Sequence, residues 1–598
     1  MGIQGLTSFI DHCGTFLTDY RFRNSKVVID GSNIFHFLYF NSSVDQQHGG
    51  DFEDQVCKFF KALRDCGIEP YVIIDGGSDP TDKKFETLRK RAESKIDTAN
   101  KLSKGLQGGR LIPTLARQVF KEVLSSLGVP FAQAIFEADQ EIASLAQKWN
   151  CPVLSNDNDF YIFDIQAGFL PLSHFQWQNP SVQNYIPCKL YTTTSFCSQV
   201  NINRQLLPVF AAIAGNDYVN LNDMGVVFFN KLLKWLASFQ EKQEALDNVH
   251  VLIGHGENNM DAALQALSRG IETYQIQPGC LERFFNDGEA PDPGLLPDHL
   301  RVLPDWTLLP LTNGTLPPYM IYILQRRPVI QGIQVEDHSL PSGNNTSRPI
   351  RQVFYGLLLG EGREVEEYDR EGKNLTSCKV KAILPSAAQH LQLNMLNQTP
   401  YVERLEVFLE TLGVSQSTLN GVPPHLGLPV AVTYYWLRHA HPRPDLPLLQ
   451  ALLLGLVFGE LSNDSSPSCV SGFIEEEPML ERMRGLIQRP AMSPDLGVAH
   501  VFSQWNRCMR DGLDLNQLLC LPLPEPQCAW LYKGTLVHQL VDQLRGGVTP
   551  DSLLMVDPSS VQLYRAMLEA IFNSEEAETT GQPDGPSTDS GAGGRRGC

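Results

Sequence analysis

The chain has 598 residues, 42 % of them hydrophobic, and a net charge of −19 at pH 7. That length allows three or four domains of ordinary size, and the surplus of acid excludes indiscriminate attachment to phosphate backbones, which needs dense positive charge. No run approaches the ~18 apolar residues of a membrane span, and no basic-then-apolar leader is visible, so no membrane association is expected. The 13 cysteines never fall as C-x-x-C, which points to free thiols in a reducing compartment rather than a zinc ribbon.

Over residues 1–240, short β-rich runs alternate with amphipathic stretches, the pattern of a parallel sheet covered by helices on both faces. Val27-Val28-Ile29 predicts a strand ending at Asp30, after which Ile34, Phe35, Phe37 and Leu38 recur at helical spacing. Tyr71-Val72-Ile73-Ile74 predicts a second strand, ending at Asp75. The segment 83–117 then holds ten Lys or Arg against three acids, a local charge of +7, helical in its first half and broken by Gly105, Gly108 and Gly109. By its residues alone this is either a solvated helix face or a contact for nucleic acid. Val129 to Ile135 predicts a third strand running into Glu137, with Asp139 as the N-terminal acid of a helix carrying Ile142, Leu145, Ala146 and Trp149. Pro152-Val153-Leu154 predicts a fourth strand, followed by Asp157 and Asp159.

Residues 241–332 read as a helical extension of this core, 333–349 as a polar linker, 350–573 as a second, mostly helical domain, and 574–598 as a disordered tail. Helical spacing is clearest at 351–359, 402–412 and 430–438. Tyr434-Tyr435-Trp436 is expected in the core or at an interface rather than as a base-stacking platform. His439-Ala440-His441 precedes Pro442 in a turn, and Cys508, Cys520 and Cys528 lack ligand spacing, so neither group is expected to bind metal.

The acids of the first part are placed with a pattern. Asp30, Asp75 and Asp157 fall at or just past the carboxyl ends of predicted parallel strands, and Glu137 follows the third; sites form at that edge of open α/β sheets. With Asp139, Asp159 and Asp217 they make seven carboxylates that could converge. Such a group repels itself unless cations sit among its members, and oxygen-only ligation selects Mg²⁺ or Mn²⁺. Each acid singly is also a common turn or cap residue, and Asp157-x-Asp159 could be an Asx turn.

Met1-Gly2-Ile3-Gln4-Gly5-Leu6, Val27-Val28-Ile29-Asp30, Ile74-Asp75-Gly76 before a basic helix, Phe136-Glu137-Ala138-Asp139, Asp157-Asn158-Asp159 and Ala214-Gly215-Asn216-Asp217-Tyr218 resemble, in order and spacing, the flap-endonuclease/XPG nucleases. Asn150-Cys151-Pro152-Val153-Leu154-Ser155 and Ser173-His174-Phe175-Gln176-Trp177, with the long helical C-terminal half, resemble more closely the asteroid proteins, a divergent branch of that superfamily. The resemblance implies a PIN-like fold in which Asp30, Asp75, Glu137, Asp139, Asp157, Asp159 and Asp217 bind two ions, Mg²⁺ or Mn²⁺. Asp139 stands where the family has Glu. Lys83 and Lys90 match the basic positions at the scissile phosphate, with Lys84, Arg89, Arg91 and Lys95 beside them on the DNA. Gly2 matches an N-terminal amine near the site, and His36 takes the place of a base-stacking aromatic. One departure concerns the grip on duplex DNA. Where the family has a Gly-Ile-Gly turn, this chain has Asn222-Asp223-Met224-Gly225-Val226-Val227-Phe228, and β-branched neighbours hinder close backbone approach.

The implied activity is two-metal hydrolysis of phosphodiesters in single-stranded, overhang or flap DNA, in the nucleus and in DNA repair, including double-strand breaks. No small-molecule cofactor is expected, and repair proteins are expected on the C-terminal domain. The alternatives are a catalytically weak scaffold of the same fold and a PIN-type ribonuclease.

Overall fold

The computed structural model describes residues 3–42, 52–77, 82–106, 109–179, 184–215, 226–248, 260–464, 485, 495–554 and 557–572. Gly2, Asp217, the stretch 222–225 and the expected tail lie outside them, as do the side chains of Lys83 and Lys84.

In the first part, helices Leu6–Cys13 (α1), Gly31–Asn41 (α2), Phe52–Asp65 (α3), Asp82–Leu102 (α4), Ala116–Ser126 (α5) and Asp139–Trp149 (α6) surround a sheet. Strands Thr18–Phe22 (β1), Lys26–Asp30 (β2), Glu69–Ile74 (β3), Phe131–Gln133 (β4), Val153–Ser155 (β5), Phe169–Pro171 (β6) and Ile186–Leu190 (β7) follow in order. Five of them form one sheet, β4-β3-β2-β5-β6, and every pairing in it is parallel. Side chains alternate between its faces. Val28, Ile73, Ala132 and Val153 pack with α1 and α6, while Val27, Ile29, Val72, Ile74 and Leu154 pack with α2, α3 and α5. The four expected strands are present. β6 and the antiparallel β1–β7 ribbon are additions, their sequences too short or too polar to stand out.

Two glycines set the sheet edge. A Cβ on Gly31 would lie 2.7 Å from the Val72 side chain and 2.8 Å from the Ile73 carbonyl oxygen, so α2 can start against β3 only without one. At Gly76 a Cβ would meet the Ala134 carbonyl oxygen at 1.8 Å, and this close approach brings Asp75 beside the loop after β4.

The segment 333–349 is a correction. Far from being a linker, it is packed: Glu336 is 3 % exposed, Asn344 2 % and Ser347 fully buried. Asn344 Nδ2 donates to Asp369 Oδ1 at 2.8 Å, and Glu336 pairs with Arg370 at 2.8 Å. One continuous hydrophobic core runs from Leu115, Ile135 and Leu300 to Ile571, so the C-terminal half packs directly on the sheet domain.

That half is mainly helical, with long helices Leu446–Asp464 and Leu496–Leu518. Strands Val329–Ile330 (β8), Glu364–Glu371 (β9) and Asn374–Lys381 (β10) add a small sheet that helical spacing did not reveal. The helices expected at 351–359, 402–412 and 430–438 are Arg348–Leu359, Tyr401–Leu412 and Gly427–His439, and Tyr434, Tyr435 and Trp436 are buried. His439 stacks on Tyr435 at 4.1 Å. Among the described residues no helix is long and apolar enough to cross a membrane.

Candidate active site

Each acid is delivered by the end of a strand or the start of the element after it. Asp30 closes β2 and caps α2, its Oδ1 accepting from the Asn33 amide at 2.9 Å. Its Oδ2 accepts from the buried Ser155 hydroxyl at 2.7 Å, because parallel pairing of β2 with β5 sets the two strand ends side by side. The Ser155 Oγ also accepts the Asp157 amide at 2.9 Å. Asp157 in turn caps a short 3₁₀ turn, taking the Asp159 amide at 3.1 Å. Asp75 follows β3. Its Oδ1 accepts the Ala138 amide at 2.8 Å and its own amide donates to Ser32 Oγ at 3.0 Å, fastening the Glu137–Asp139 loop to the β3 edge.

Asp139, Asp157 and Asp159 each bring a carboxylate oxygen within 4.8 Å of the others. Asp30 and Asp75 belong to the same electrostatic group. Burial first, then Asp157, Asp75, Asp30 and Asp159, hold the Asp139 carboxyl well above its ordinary range. Burial and Asp75, with a smaller contribution from Asp157, push Asp30 up to about 7 against the Asn33 and Ser155 hydrogen bonds. Five of the seven expected acids therefore converge. Glu137 sits half-buried on the loop between Asp75's partner Ala138 and β4, and Asp217 lies outside the described residues. Asp159 has a further neighbour: the Tyr274 hydroxyl, 6 % exposed, donates to its Oδ1 at 2.8 Å.

A set of carboxylate oxygens, crowded, partly desolvated and shifted toward protonation by mutual repulsion, fits hard divalent cations. Asp139, Asp157 and Asp159 are the residues best grouped to hold one.

The segment before α1 reaches this place too. Ile3 is fully buried, and its carbonyl accepts from Asn158 Nδ2 at 2.9 Å, between the two acids of the 3₁₀ turn. His36 stands on the open side of α2, its ring near-parallel to that of Phe40 with centroids 6.0 Å apart. Partial desolvation of the ring, then the charges of Lys95, Arg117 and Arg91, push its pKa down to about 4, so the ring is neutral at pH 7. Of the basic segment, Arg91 and Lys95 thus act on the α2 side of the site. Arg117 donates to the Asp75 carbonyl. Lys90 is exposed. Arg89 is turned to Glu86 at 3.0 Å and Glu93 at 3.7 Å.

Sequence reasoning missed Ser155, Ser32, Asn33 and Tyr274. The first three follow directly from strand-end chemistry, since an acid capping a helix needs hydroxyl and amide partners. Tyr274 has no local signal.

The profile of the XPG N-terminal domain matches residues 1–98, and that of the asteroid N-terminal domain matches residues 479–580. The chain is 42 % identical to the single-strand DNA endonuclease ASTE1 of Danio rerio, over 96 % of this chain and 86 % of that protein. It is 38 % identical to the Homo sapiens protein of the same name, over 97 % and 91 %. Protein asteroid of Drosophila melanogaster is 30 % identical over 37 % of this chain and 32 % of its own length.

Proposed function

The chain belongs to the asteroid family, a divergent branch of the XPG nuclease superfamily, and from that premise we propose that it is a metal-dependent endonuclease cutting DNA of single-stranded character. The observation that carries this is the meeting of Asp139, Asp157 and Asp159 within 4.8 Å, with Asp30 and Asp75 in the same electrostatic group.

Asp30, Asp75, Asp139, Asp157 and Asp159, with Glu137 and Asp217, are the groups that would hold two Mg²⁺ or Mn²⁺ ions. When bound, such ions supply Lewis acidity: they make water nucleophilic at neutral pH and steady the leaving oxygen. The chain's own residues do the rest. Ser155 and the Ala138 amide fix the Asp30 and Asp75 carboxylates in place, so little reorganisation remains to be done at the moment of reaction. Lys83 and Lys90, with Arg91 and Lys95 on the same helix, hold the phosphate. By the family resemblance, Lys84 and Arg89 would also touch the DNA. His36, uncharged, offers its face to a base. Work on single-stranded ends belongs to DNA repair in the nucleus, with the C-terminal half as the surface for repair partners.

The test is a cleavage panel: labelled single strands, 3′ overhangs, 5′ flaps, nicked duplex and matching RNA, with Mg²⁺ or EDTA. Single-stranded and overhang DNA should be cut with Mg²⁺ alone, and not by an Asp157→Ala, Asp159→Ala double variant. Equal cutting by the double variant defeats the proposal, and preference for RNA favours the ribonuclease.

A further inference from the structure

The basic helix α4 has a second neighbour besides His36 of α2. Phe85, Ala92, Ile96 and Ala99 recur at the spacing of one helical face, and the last three are buried. The Phe85 ring meets Tyr368 of β9 edge-on, centroids 5.2 Å apart with planes at 68°. Further along, Ala99 and Leu102 share a small hydrophobic cluster with Leu111 and Val335, and Ile333 packs against it. Arg91 and Lys95 are i, i+4 neighbours on an adjoining flank, where both act on His36.

What holds the helix is itself anchored. The Gln331 amide donates to the Tyr368 carbonyl at 2.8 Å, extending β8 along β9. Thr114 Oγ1 donates to Gln334 Oε1 at 3.0 Å, and Gln334 Nε2 to the Ser503 carbonyl at 3.2 Å, so one glutamine ties the end of the basic segment to the long C-terminal helix. Glu336 and Arg370, both buried, fasten this strap to β9. A 21-residue helix with one charged side in solvent would otherwise open locally at little cost.

We propose that β9 and residues 333–336 form a fixed mount that orders the basic helix before any substrate arrives, making Tyr368 and Val335 positioning residues for Arg91 and Lys95. The substrate positioned is the phosphate backbone of a single strand. That role rests on the nuclease reading, while the mount itself does not. A pre-ordered cationic helix spares the bound strand the entropy of ordering it.

The full chain and its Tyr368→Ala, Tyr368→Phe and Val335→Ser variants are compared by hydrogen–deuterium exchange over 85–102 and by anisotropy with a labelled single-stranded oligonucleotide in EDTA. Tyr368→Ala should exchange at least about tenfold faster over 85–102, with protection of the parallel sheet unchanged. It should bind the oligonucleotide about fivefold more weakly. Val335→Ser should act in the same direction through the other contact, and Tyr368→Phe, which keeps the ring, should match wild type in both. Unchanged exchange in both Tyr368→Ala and Val335→Ser overturns the mount, and faster exchange with unchanged affinity overturns the positioning role of Tyr368 and Val335. Neither readout depends on cleavage, so an inactive wild type would sink the nuclease reading alone.

Discussion

Two groups of acids lie in this molecule under opposite conditions. In the C-terminal half, Arg351 is 1 % exposed and grips both oxygens of Glu367, at 2.7 and 2.9 Å, while its remaining nitrogen donates to Asp511 at 2.9 Å. Arg507 pairs with Asp511 at 2.6 Å and Arg510 with Asp514 at 2.9 Å. Burial alone would raise Glu367, but Arg351 and the Tyr355 hydroxyl outweigh it and hold that carboxyl below its ordinary range. At the sheet edge the donors are amides and hydroxyls, and the nearest charges on Asp139 are other acids. Asp30 is pushed up to about 7 as a result. Acids matched by arginines inside the fold are structural. Acids gathered so that they raise each other's pKa leave negative charge for something the polypeptide does not itself provide.

The sharpest way to break this comparison is to neutralise each group. Asp157→Asn with Asp159→Asn should abolish Mg²⁺-dependent cleavage, by well over the ~100-fold that even outer partners of metal sites can command. Without metal, the thermal midpoint should hold or rise, since a repulsion has been removed. A large loss of stability on calorimetry would mean that these acids are structural after all. Arg351→Ala should do the reverse. Stripping the partner from Glu367 and Asp511 leaves buried charge uncompensated, a loss of ~3–5 kcal/mol in urea unfolding.

How much of this could be read in advance differs between the two groups for a physical reason. Asp30, Asp75 and Asp157 follow apolar runs at strand ends, so a local pattern and the parallel topology suffice to bring them together. The arginine network has no such local mark. Glu336 pairs with Arg370, 34 residues away, and Arg351 with Asp511, 160 away. The polar composition of 333–349 therefore reads as a linker, though Ser342 and Asn344 turn inward to Asp369. Composition cannot separate polar residues that face water from polar residues that satisfy one another. The β9–β10 hairpin is hidden for a related reason: Glu364–Glu371 is charged at every position but Val365 and Tyr368, and its buried residues include Glu367, Asp369 and Arg370.

Tyr274 offers a finer cut at the acidic group. Its hydroxyl fixes one oxygen of Asp159, and its ring packs on Phe163 with centroids 5.5 Å apart. Tyr274→Phe keeps the packing and removes the hydroxyl donor from Asp159 Oδ1. The Mg²⁺ concentration for half-maximal cleavage should rise about tenfold, the lower end for outer-sphere partners of a metal site, with the fold intact by circular dichroism. An unchanged Mg²⁺ titration would assign the tyrosine to packing alone.

The smallest effect comes from pH, and its sign differs between Asp30 and Glu367. Asp30, at about 7 in the folded state, lies above its ordinary 3.8, so its share of stability is lost as pH rises toward 7. Glu367, held low, gives the opposite slope, but only near and below its ordinary range. His36, His338 and His538, each pushed to about 4, add stability as pH rises through 6.5, which would mask the acids in a plain melting curve. Subtraction removes them, because they are far from the carboxylates that would take the metal or, like His36, neutral throughout pH 6 to 8. The gain in melting temperature on replacing EDTA with Mg²⁺ should therefore grow between pH 6 and 8. Below 7 a cation must displace a proton from Asp30, whereas above 7 it relieves repulsion already present. For a chain of this size the growth should be on the order of 1–2 °C, and smaller still in Asp30→Asn. A gain that is flat with pH would mean that the sheet-edge acids are as well matched as those around Arg351.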